Sequence, residues 1–338
     1  MRLLALTTSF LLAQPAWALD PAALVDTAIN SHILPGFTTL TEATGTLKNT
    51  ATEDCASDSA TLRAAYHEGF DAWMAVSHLR FGPTEEDERA FSLAFWPDTK
   101  GFTPKSLSKL ITSEDPAVLN AEAFAEVSIA AHGFFALEFL LYDDRIQSLG
   151  SDAYRCTLIQ AVTNDIDRNA NAILADWHTG YADLMRTPSK DGRYTTDLAA
   201  VAELFKTLDT GLQFNEEARL GRPLGTFDKP RPLRAEARRS ERSLQNITVS
   251  LASLEQLARI LAAQTPTPAK SLKGAFSLAL GHATELEDDP SFAGVANIQG
   301  RLRVEILQQY IGNIRSFVLL ELGPALDVTA GFNALDGD

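Results

Sequence analysis

The stretch LQNITVSLASLEQLARIL, residues 244–261, carries the pattern that decides the fold. Its leucine and isoleucine residues recur three and four positions apart, which is the spacing of one face of an α-helix. The same spacing continues through most of the 338 residues, whereas runs in which apolar and polar residues strictly alternate are nearly absent. We therefore predict an all-α protein, with further helical stripes near residues 24–40, 62–76, 117–142, 154–184, 198–220, 271–287 and 300–320.

Two polar stretches rich in helix-breaking residues, Arg186–Asp197 and Gly221–Pro232, interrupt these stripes. Because four stripes lie on each side of the first stretch, we predict two bundle-like halves, at about residues 19–185 and 198–338. A long early connection, residues 81–116, contains several aromatic residues and is too apolar for a mobile loop. We expect this connection to pack against the protein with short helical turns.

Composition and charge exclude several classes of partner. Apolar residues make up 45% of the chain and charged residues 22%, which are ordinary values for a globular protein. The formal net charge is −15, from 44 acidic and 29 basic side chains. This charge opposes attraction to phosphate, so nucleic acid and anionic membrane surfaces are poor partners.

The first 18 residues have the features of a secretory signal peptide. Arg2 supplies a positive charge, Leu3–Ala13 forms an apolar run, and Ala16–Ala18 has the small-x-small pattern of a cleavage site. We expect cleavage after Ala18 and a periplasmic mature protein. No later segment reaches about 18 uncharged apolar residues, so we expect no transmembrane segment in the mature chain.

The exported part contains two cysteines, Cys55 and Cys156. An even count in a compartment that permits oxidation predicts one disulfide. The alternative is that the two thiolates bind a metal, but neither has Cys or His neighbours at the spacing of a zinc site.

One glutamate lies in an almost wholly apolar stretch, AHGFFALEFLLY at residues 131–142. On a helix, Glu138 would be buried or would open into a cavity, and an unpaired carboxylate is costly in such surroundings. Either it pairs with an arginine or lysine inside the bundle, or it is a metal ligand or site acid. The usual signatures of metalloproteases, serine hydrolases, phosphate-binding loops and haem attachment are missing.

A second candidate metal site is formed by His282 and Glu285, which are three positions apart on a predicted helix and therefore share a face. The acidic run Glu287–Asp289 follows them. These side chains could chelate a cation together. The alternative is a solvated helix end before Pro290.

Several stretches together resemble the imelysin-like family of exported helical proteins, which are associated with bacterial iron acquisition and were once classified as peptidases. The family hallmark is G-x-H-x-x-E followed by an apolar tail. Here Gly133 and Glu138 match it, and Phe135 replaces the histidine. The other matching segments, in chain order, are Leu79–Pro83, Ala90–Asp98, Leu220–Gly225, Arg239–Asn246 and Gly331–Asp338, and the cysteine pair falls where related chains have one.

The resemblance implies two bundle-like helical halves with a site where they meet. Glu138 is the hallmark side chain that carries over as a candidate metal ligand. Arg80, Arg242 and Ser243 belong to matched motifs and are candidates to line the same cleft and bind a cofactor. Arg80 is alternatively the structural partner that neutralises Glu138.

The resemblance also implies a role in iron uptake. We expect the protein to bind iron or another divalent or trivalent cation, a metal complex, or an iron-uptake protein of the periplasm or inner membrane. A helical interaction module that binds no metal is the alternative. A metallopeptidase has less support, because a catalytic metal generally has three protein ligands and Phe135 removes one. We therefore do not expect an enzyme.

Overall fold

Helices provide the regular structure in a computed structural model that describes residues 19–328. The α-helices before residue 187 are α1 (Pro21–Ala28), α2 (Leu34–Glu53), α3 (Ala60–Val76), α4 (Arg89–Leu93), α5 (Phe102–Ser113), α6 (Ala121–Ala125), α7 (Gly133–Tyr142), α8 (Asp144–Gln147), α9 (Asp152–Asp176) and α10 (Ala182–Arg186). Those after it are α11 (Asp197–Gln213), α12 (Gly221–Leu224), α13 (Ser243–Leu261), α14 (Pro266–Thr284), α15 (Ile298–Phe317) and α16 (Gly323–Ala325). The predicted all-α fold is confirmed, because these residues contain no strand and a single isolated bridge, between Thr226 and Lys229.

Shorter helical turns extend or connect these helices. The π-helical turns are Ile29–Ile33, Trp177–Tyr181, Phe214–Leu220 and Val318–Leu322, and each continues directly into the helices beside it. The 3₁₀ turns are Gly82–Thr84, Glu86–Glu88, Pro116–Leu119, Ile129–Ala131, Pro232–Arg234 and Ala293–Ala296. The connection over residues 81–116 does contain short helical turns, as predicted, together with the 12-residue helix α5.

The apolar stripes of the sequence form one continuous hydrophobic core, around which two groups of helices pack. In α13 every leucine and isoleucine of the stripe is buried, and each such side chain contributes about 2 kcal/mol of hydrophobic stabilisation. Helices α2, α3, α7 and α9 pack together, and α11, α13, α14 and α15 form the second group. Helix α3 contacts α13 across the boundary, and α1 packs on α11 and α13 as well.

The predicted single helix over residues 117–142 is wrong. The chain forms a 3₁₀ turn, helix α6, a second 3₁₀ turn and then α7. Two side chains accept hydrogen bonds at new starts, Asp115 from the amide of Ala117 and Asn120 from the amide of Ala123. The final break lies at Gly133, whose φ of +73° belongs to the left-handed region and cannot continue a right-handed helix.

The predicted disulfide between Cys55 and Cys156 is confirmed, with a Cα–Cα distance of 5.1 Å. It joins the chain just after α2 to the first turns of α9 and closes a loop of 101 residues. The predicted signal peptide and the matching segment Gly331–Asp338 lie outside the described residues. None of the helices in residues 19–328 is both long and apolar enough to cross a membrane.

Candidate functional site

A cavity of about 410 Å³ lies between residues 95–139 on one side and residues 222–239 on the other, and we call it the Glu138 cavity. One side comes from the segment between α4 and α5 and from α7, and the other from α12 and the segment that precedes α13. Its charged lining residues are Asp98, Glu138, Arg222, Arg234 and Arg239, and its aromatic lining residues are Phe95, Trp96, Phe135 and Phe139. Three segments that resemble the family, besides the hallmark itself, therefore contribute to one cavity.

Gly133 fixes where α7 begins and hence where Glu138 lies. A Cβ atom at this position would be 2.2 Å from the carbonyl oxygen of Leu93 and 2.3 Å from that of Ser92. The residue must therefore be glycine both for its positive φ and for this close approach. From this start, Phe135 and Glu138 are three residues apart on one helix face and both line the cavity.

Glu138 is a buried carboxylate with only 1% of its surface exposed. Its Oε1 atom accepts hydrogen bonds from the amide of Arg239 at 2.9 Å, the amide of Ser240 at 3.0 Å and the hydroxyl of Ser240 at 2.9 Å. The closest cation to Oε2 is Nη1 of Arg239, at 4.0 Å. Burial raises the pKa of Glu138, and the hydrogen bonds from Ser240 and the charge of Arg239 oppose that rise.

The hydroxyl of Ser240 also lies 3.3 Å from the hydroxyl of Tyr66. A serine hydroxyl has one hydrogen, and a bond to a carboxylate is stronger than the alternative bond to the carbonyl of Ala237 at 3.1 Å. Ser240 therefore donates to Glu138 and accepts from Tyr66. Burial and the nearby Glu138 raise the pKa of Tyr66, which keeps this phenol protonated as a donor.

Two charged lining residues besides Glu138 already have partners. The Nε atom of Arg239 donates to Asp143 at 2.8 Å, and its guanidinium lies 3.6 Å from the ring centre of Phe139. The two oxygens of Asp98 accept the amides of Phe102 and Thr103 at the start of α5, at 2.9 and 2.8 Å. These groups shape the cavity and are not free to bind a ligand without losing those bonds.

Phe135, which stands in place of the hallmark histidine, forms part of the wall between two cavities. Its ring packs edge-on against Phe70 at 5.3 Å and stacks with Trp96 at 6.3 Å between ring centres. Both Phe135 and Trp96 also line a second cavity of about 250 Å³. The phenyl ring therefore supplies packing where the imidazole of the hallmark would supply a nitrogen ligand.

Arg80 does not contact Glu138. It lines the second cavity and forms an ion pair with Glu85, while its guanidinium lies 5.0 Å from the ring centre of Phe91. The alternative in which Arg80 neutralises Glu138 is wrong. Arg239, which is 101 residues away in the sequence, occupies that position.

Arg242 and Ser243 are buried beside the cavities and line neither of them. Arg242 forms an ion pair with Asp71 and donates to Nδ1 of His67 at 3.0 Å. Ser243 donates to the carbonyl of Glu236 at 2.5 Å. Their cofactor-binding role stays a prediction, and their contacts in this structure are to other protein groups.

His282 and Glu285 are brought together, with Nδ1 of the imidazole 2.9 Å from the carboxylate. The Nε2 atom of His282 donates to the carbonyl of Arg303 at 2.9 Å. Among the residues that the structure describes, no group of three or more His, Cys, Asp or Glu side chains is arranged to hold a metal ion. Metal binding by Glu138, or by His282 with Glu285, stays a prediction.

Sequence reasoning did not single out Arg222, Arg234, Arg239 or Ser240 as site residues. Arg222, Arg239 and Ser240 lie within segments that resemble the family. This resemblance is the sequence signal that could have identified them as site residues. Arg234 lies outside those segments, and its proximity to the cavity depends on how the chain folds back between α12 and α13.

The comparisons with known proteins agree with this architecture. A sequence model of imelysin, peptidase family M75, matches residues 33–316. An imelysin-like protein from Psychrobacter arcticus 273-4 has a similar structure, with a TM-score of 0.76 and 20% identity over 92% of this chain and 97% of that one. A structure described as an iron-regulated protein A precursor, from Parabacteroides distasonis ATCC 8503, has a TM-score of 0.71 and 15% identity over 88% of this chain and 95% of that one. No curated protein matches the sequence.

Proposed function

Because the chain belongs to the imelysin family, we propose that it is an exported binding protein of bacterial iron uptake. In this proposal it holds an iron complex in the Glu138 cavity and catalyses no reaction. The family match and the similarity to a protein described as iron-regulated support the iron-related role. The features of residues 1–18 support export to the periplasm.

The observation that carries the proposal is the position of the Glu138 carboxylate. Three donors occupy Oε1, whereas Oε2 has only a guanidinium at 4.0 Å and belongs to a residue that lines a cavity. A buried carboxylate oxygen with so few partners is a strong ligand for a hard cation. We therefore assign Oε2 as the protein atom that reaches the iron.

A single carboxylate oxygen cannot complete the coordination of an iron ion. Since no group of three potential ligands gathers within residues 19–328, most of the other ligands would arrive with the iron. This argument favours a metal complex over a bare ion. It also argues against a metallopeptidase, because a catalytic metal generally has three protein ligands and one open position.

Metal content in protein taken from its native compartment tests this proposal. We expect iron in the wild-type protein and its loss in Glu138→Gln, which keeps the size of the side chain and removes its charge. Glu285→Gln is the matched control, because it changes the other candidate site and leaves the cavity intact. Iron that persists in Glu138→Gln and disappears in Glu285→Gln would place the iron site at His282 and Glu285 instead.

Phe135 favours a second candidate function, a helical interaction module that binds no metal. Its ring packs between Phe70 and Trp96, so this position now serves packing. The two candidates differ in a growth assay under iron limitation. Full function of a variant with both Glu138 and Glu285 changed to glutamine would favour the interaction module.

A further inference from the structure

We infer that the Glu138 cavity recognises the carboxylate groups of an anionic iron chelate, and that Arg222 and Arg234 bind those groups. This inference rests on the proposed function and names its ligand class. In this arrangement Glu138 contacts the metal and the two arginines contact the chelator.

Arg222 and Arg234 line the Glu138 cavity, and within the described part of the chain neither forms an ion pair. Arg222 is half-buried and Arg234 is exposed, and among residues 19–328 neither guanidinium donates a hydrogen bond to the protein. The Nε atom of Arg222 is buried and unpartnered. A buried donor without an acceptor costs free energy, and an anion in the cavity would supply acceptors.

The positions of the two arginines also create a local excess of positive charge. Both residues line the same cavity, and burial, followed by the charge of Arg234, lowers the pKa of Arg222. The guanidinium of Arg222 lies 5.7 Å from the ring centre of Trp96, which holds it at the cavity wall.

The other charges of the cavity do not neutralise this pair. Asp98 accepts two helix amides, and Arg239 donates to Asp143. Glu138 accepts its three hydrogen bonds from Arg239 and Ser240. The positive charge of Arg222 and Arg234 is therefore available to a ligand.

The chemistry of the pair indicates a carboxylate ligand. A guanidinium donates two parallel hydrogen bonds to a carboxylate, and two guanidinium groups suit a ligand with more than one carboxylate. A chelator that supplies most of the ligands of Fe³⁺ through carboxylate oxygens carries such groups. The volume of about 410 Å³ is within the range of small-molecule sites, roughly 300–1,000 Å³.

Calorimetric titration of the mature full-length protein with three probes tests the inference: ferric citrate, iron-free citrate and inorganic phosphate. We expect ferric citrate to bind most tightly, and phosphate to bind more weakly than citrate. Arg222→Gln and Arg234→Gln should each weaken both citrate forms by about tenfold or more, since each removes a charge-assisted hydrogen-bonding group. Arg259→Gln is the matched control, because Arg259 is exposed on α13 and does not line the cavity, and it should bind as the wild type does.

Glu138→Gln separates this inference from the proposed function. It should lower the affinity for ferric citrate and leave the affinity for iron-free citrate unchanged. One outcome is that the arginine variants lower the affinity for citrate, Glu138→Gln has no effect, and iron adds no affinity. The two arginines then form an anion site, and the proposed iron function is wrong. The opposite outcome is that Glu138→Gln lowers the affinity for ferric citrate while the arginine variants do not. The proposed iron function is then supported, and this inference is overturned. Tighter binding of phosphate than of citrate, or no binding of citrate in either form, also overturns it.

Discussion

Ser240 donates two hydrogen bonds to the same oxygen of Glu138, from its amide at 3.0 Å and from its hydroxyl at 2.9 Å. The two residues are 102 positions apart, and this contact joins α7 to the segment that precedes α13. It fixes the carboxylate so that Oε1 faces the protein. Within residues 19–328, the Oε2 atom accepts no hydrogen bond, and its nearest cation is Nη1 of Arg239 at 4.0 Å.

The raised pKa of Glu138 predicts how stability changes with pH. The folded protein holds this proton more tightly than the unfolded chain, whose glutamates titrate near the ordinary value of 4.5. The stability of the wild type relative to Glu138→Gln should therefore fall as the pH rises from about 4.5 through the raised pKa, and should be constant above it. Urea unfolding of both proteins from pH 4 to pH 8 measures this difference. A difference that increases with pH would contradict the assignment.

Ser240→Ala should destabilise the protein by about 2 kcal/mol, because it removes a hydrogen bond to a buried carboxylate and leaves the hydroxyl of Tyr66 without its partner. The free energy of unfolding in urea measures the effect. Ser316→Ala is the control, since the hydroxyl of Ser316 is exposed and donates only to the carbonyl of Gly312. Equal losses in the free energy of unfolding would show that the Ser240 hydroxyl stabilises the protein no more than an exposed serine hydroxyl does.

Two glycine substitutions should have opposite results. Gly133→Ala places a methyl group about 2.2 Å from the carbonyl oxygen of Leu93 and requires a positive φ, so we expect a loss of at least about 3 kcal/mol. Gly274→Ala lies within α14, where an added Cβ meets no atom within 4 Å. It should leave stability unchanged or raise it by up to about 1 kcal/mol. Thermal unfolding of both variants distinguishes the positions, and similar losses would show that the start of α7 is not constrained as described.

Phe135→His restores the hallmark histidine and should create a second ligand on the same helix face as Glu138. We expect Zn²⁺ to bind at least about tenfold more tightly than to the wild type, because a neutral imidazole is a good zinc ligand. The loss of packing against Phe70 and Trp96 should cost about 2–3 kcal/mol of stability. Phe135→Leu is the control, which loses packing and gains no ligand. Equal zinc affinities of the two variants would contradict the placement of residue 135 beside Glu138.

The helices were largely predictable from the sequence because their apolar stripes are local. The stripe at residues 244–261 corresponds to α13, Ser243–Leu261, and the stripe at 154–184 corresponds to α9 with its π-helical turn and α10. The break at Gly133 was not predicted. A glycine within an apolar run is compatible with a helix, and its positive φ depends on the approach of Ser92 and Leu93 from another segment.

The candidate site was predictable only in part. Its apolar neighbours in the sequence predicted that Glu138 would be buried or would open into a cavity, and the carboxylate is buried and lines the Glu138 cavity. Its partners could not be predicted, because Arg239 and Ser240 are about a hundred residues away in the sequence. The periodicity of apolar residues predicts local helices and gives no information about such distant contacts. The common position of Arg222 and Arg234 at the cavity was not predictable either, because it depends on how the chain folds back between α12 and α13.

Diffraction at the iron absorption edge, from crystals soaked with ferric citrate, tests the central claim most directly. The account predicts an anomalous peak inside the Glu138 cavity, within bonding distance of Oε2, and no such peak in crystals of Glu138→Gln. A peak between His282 and Glu285, or an iron complex in the cavity that makes no contact with Glu138, would contradict it.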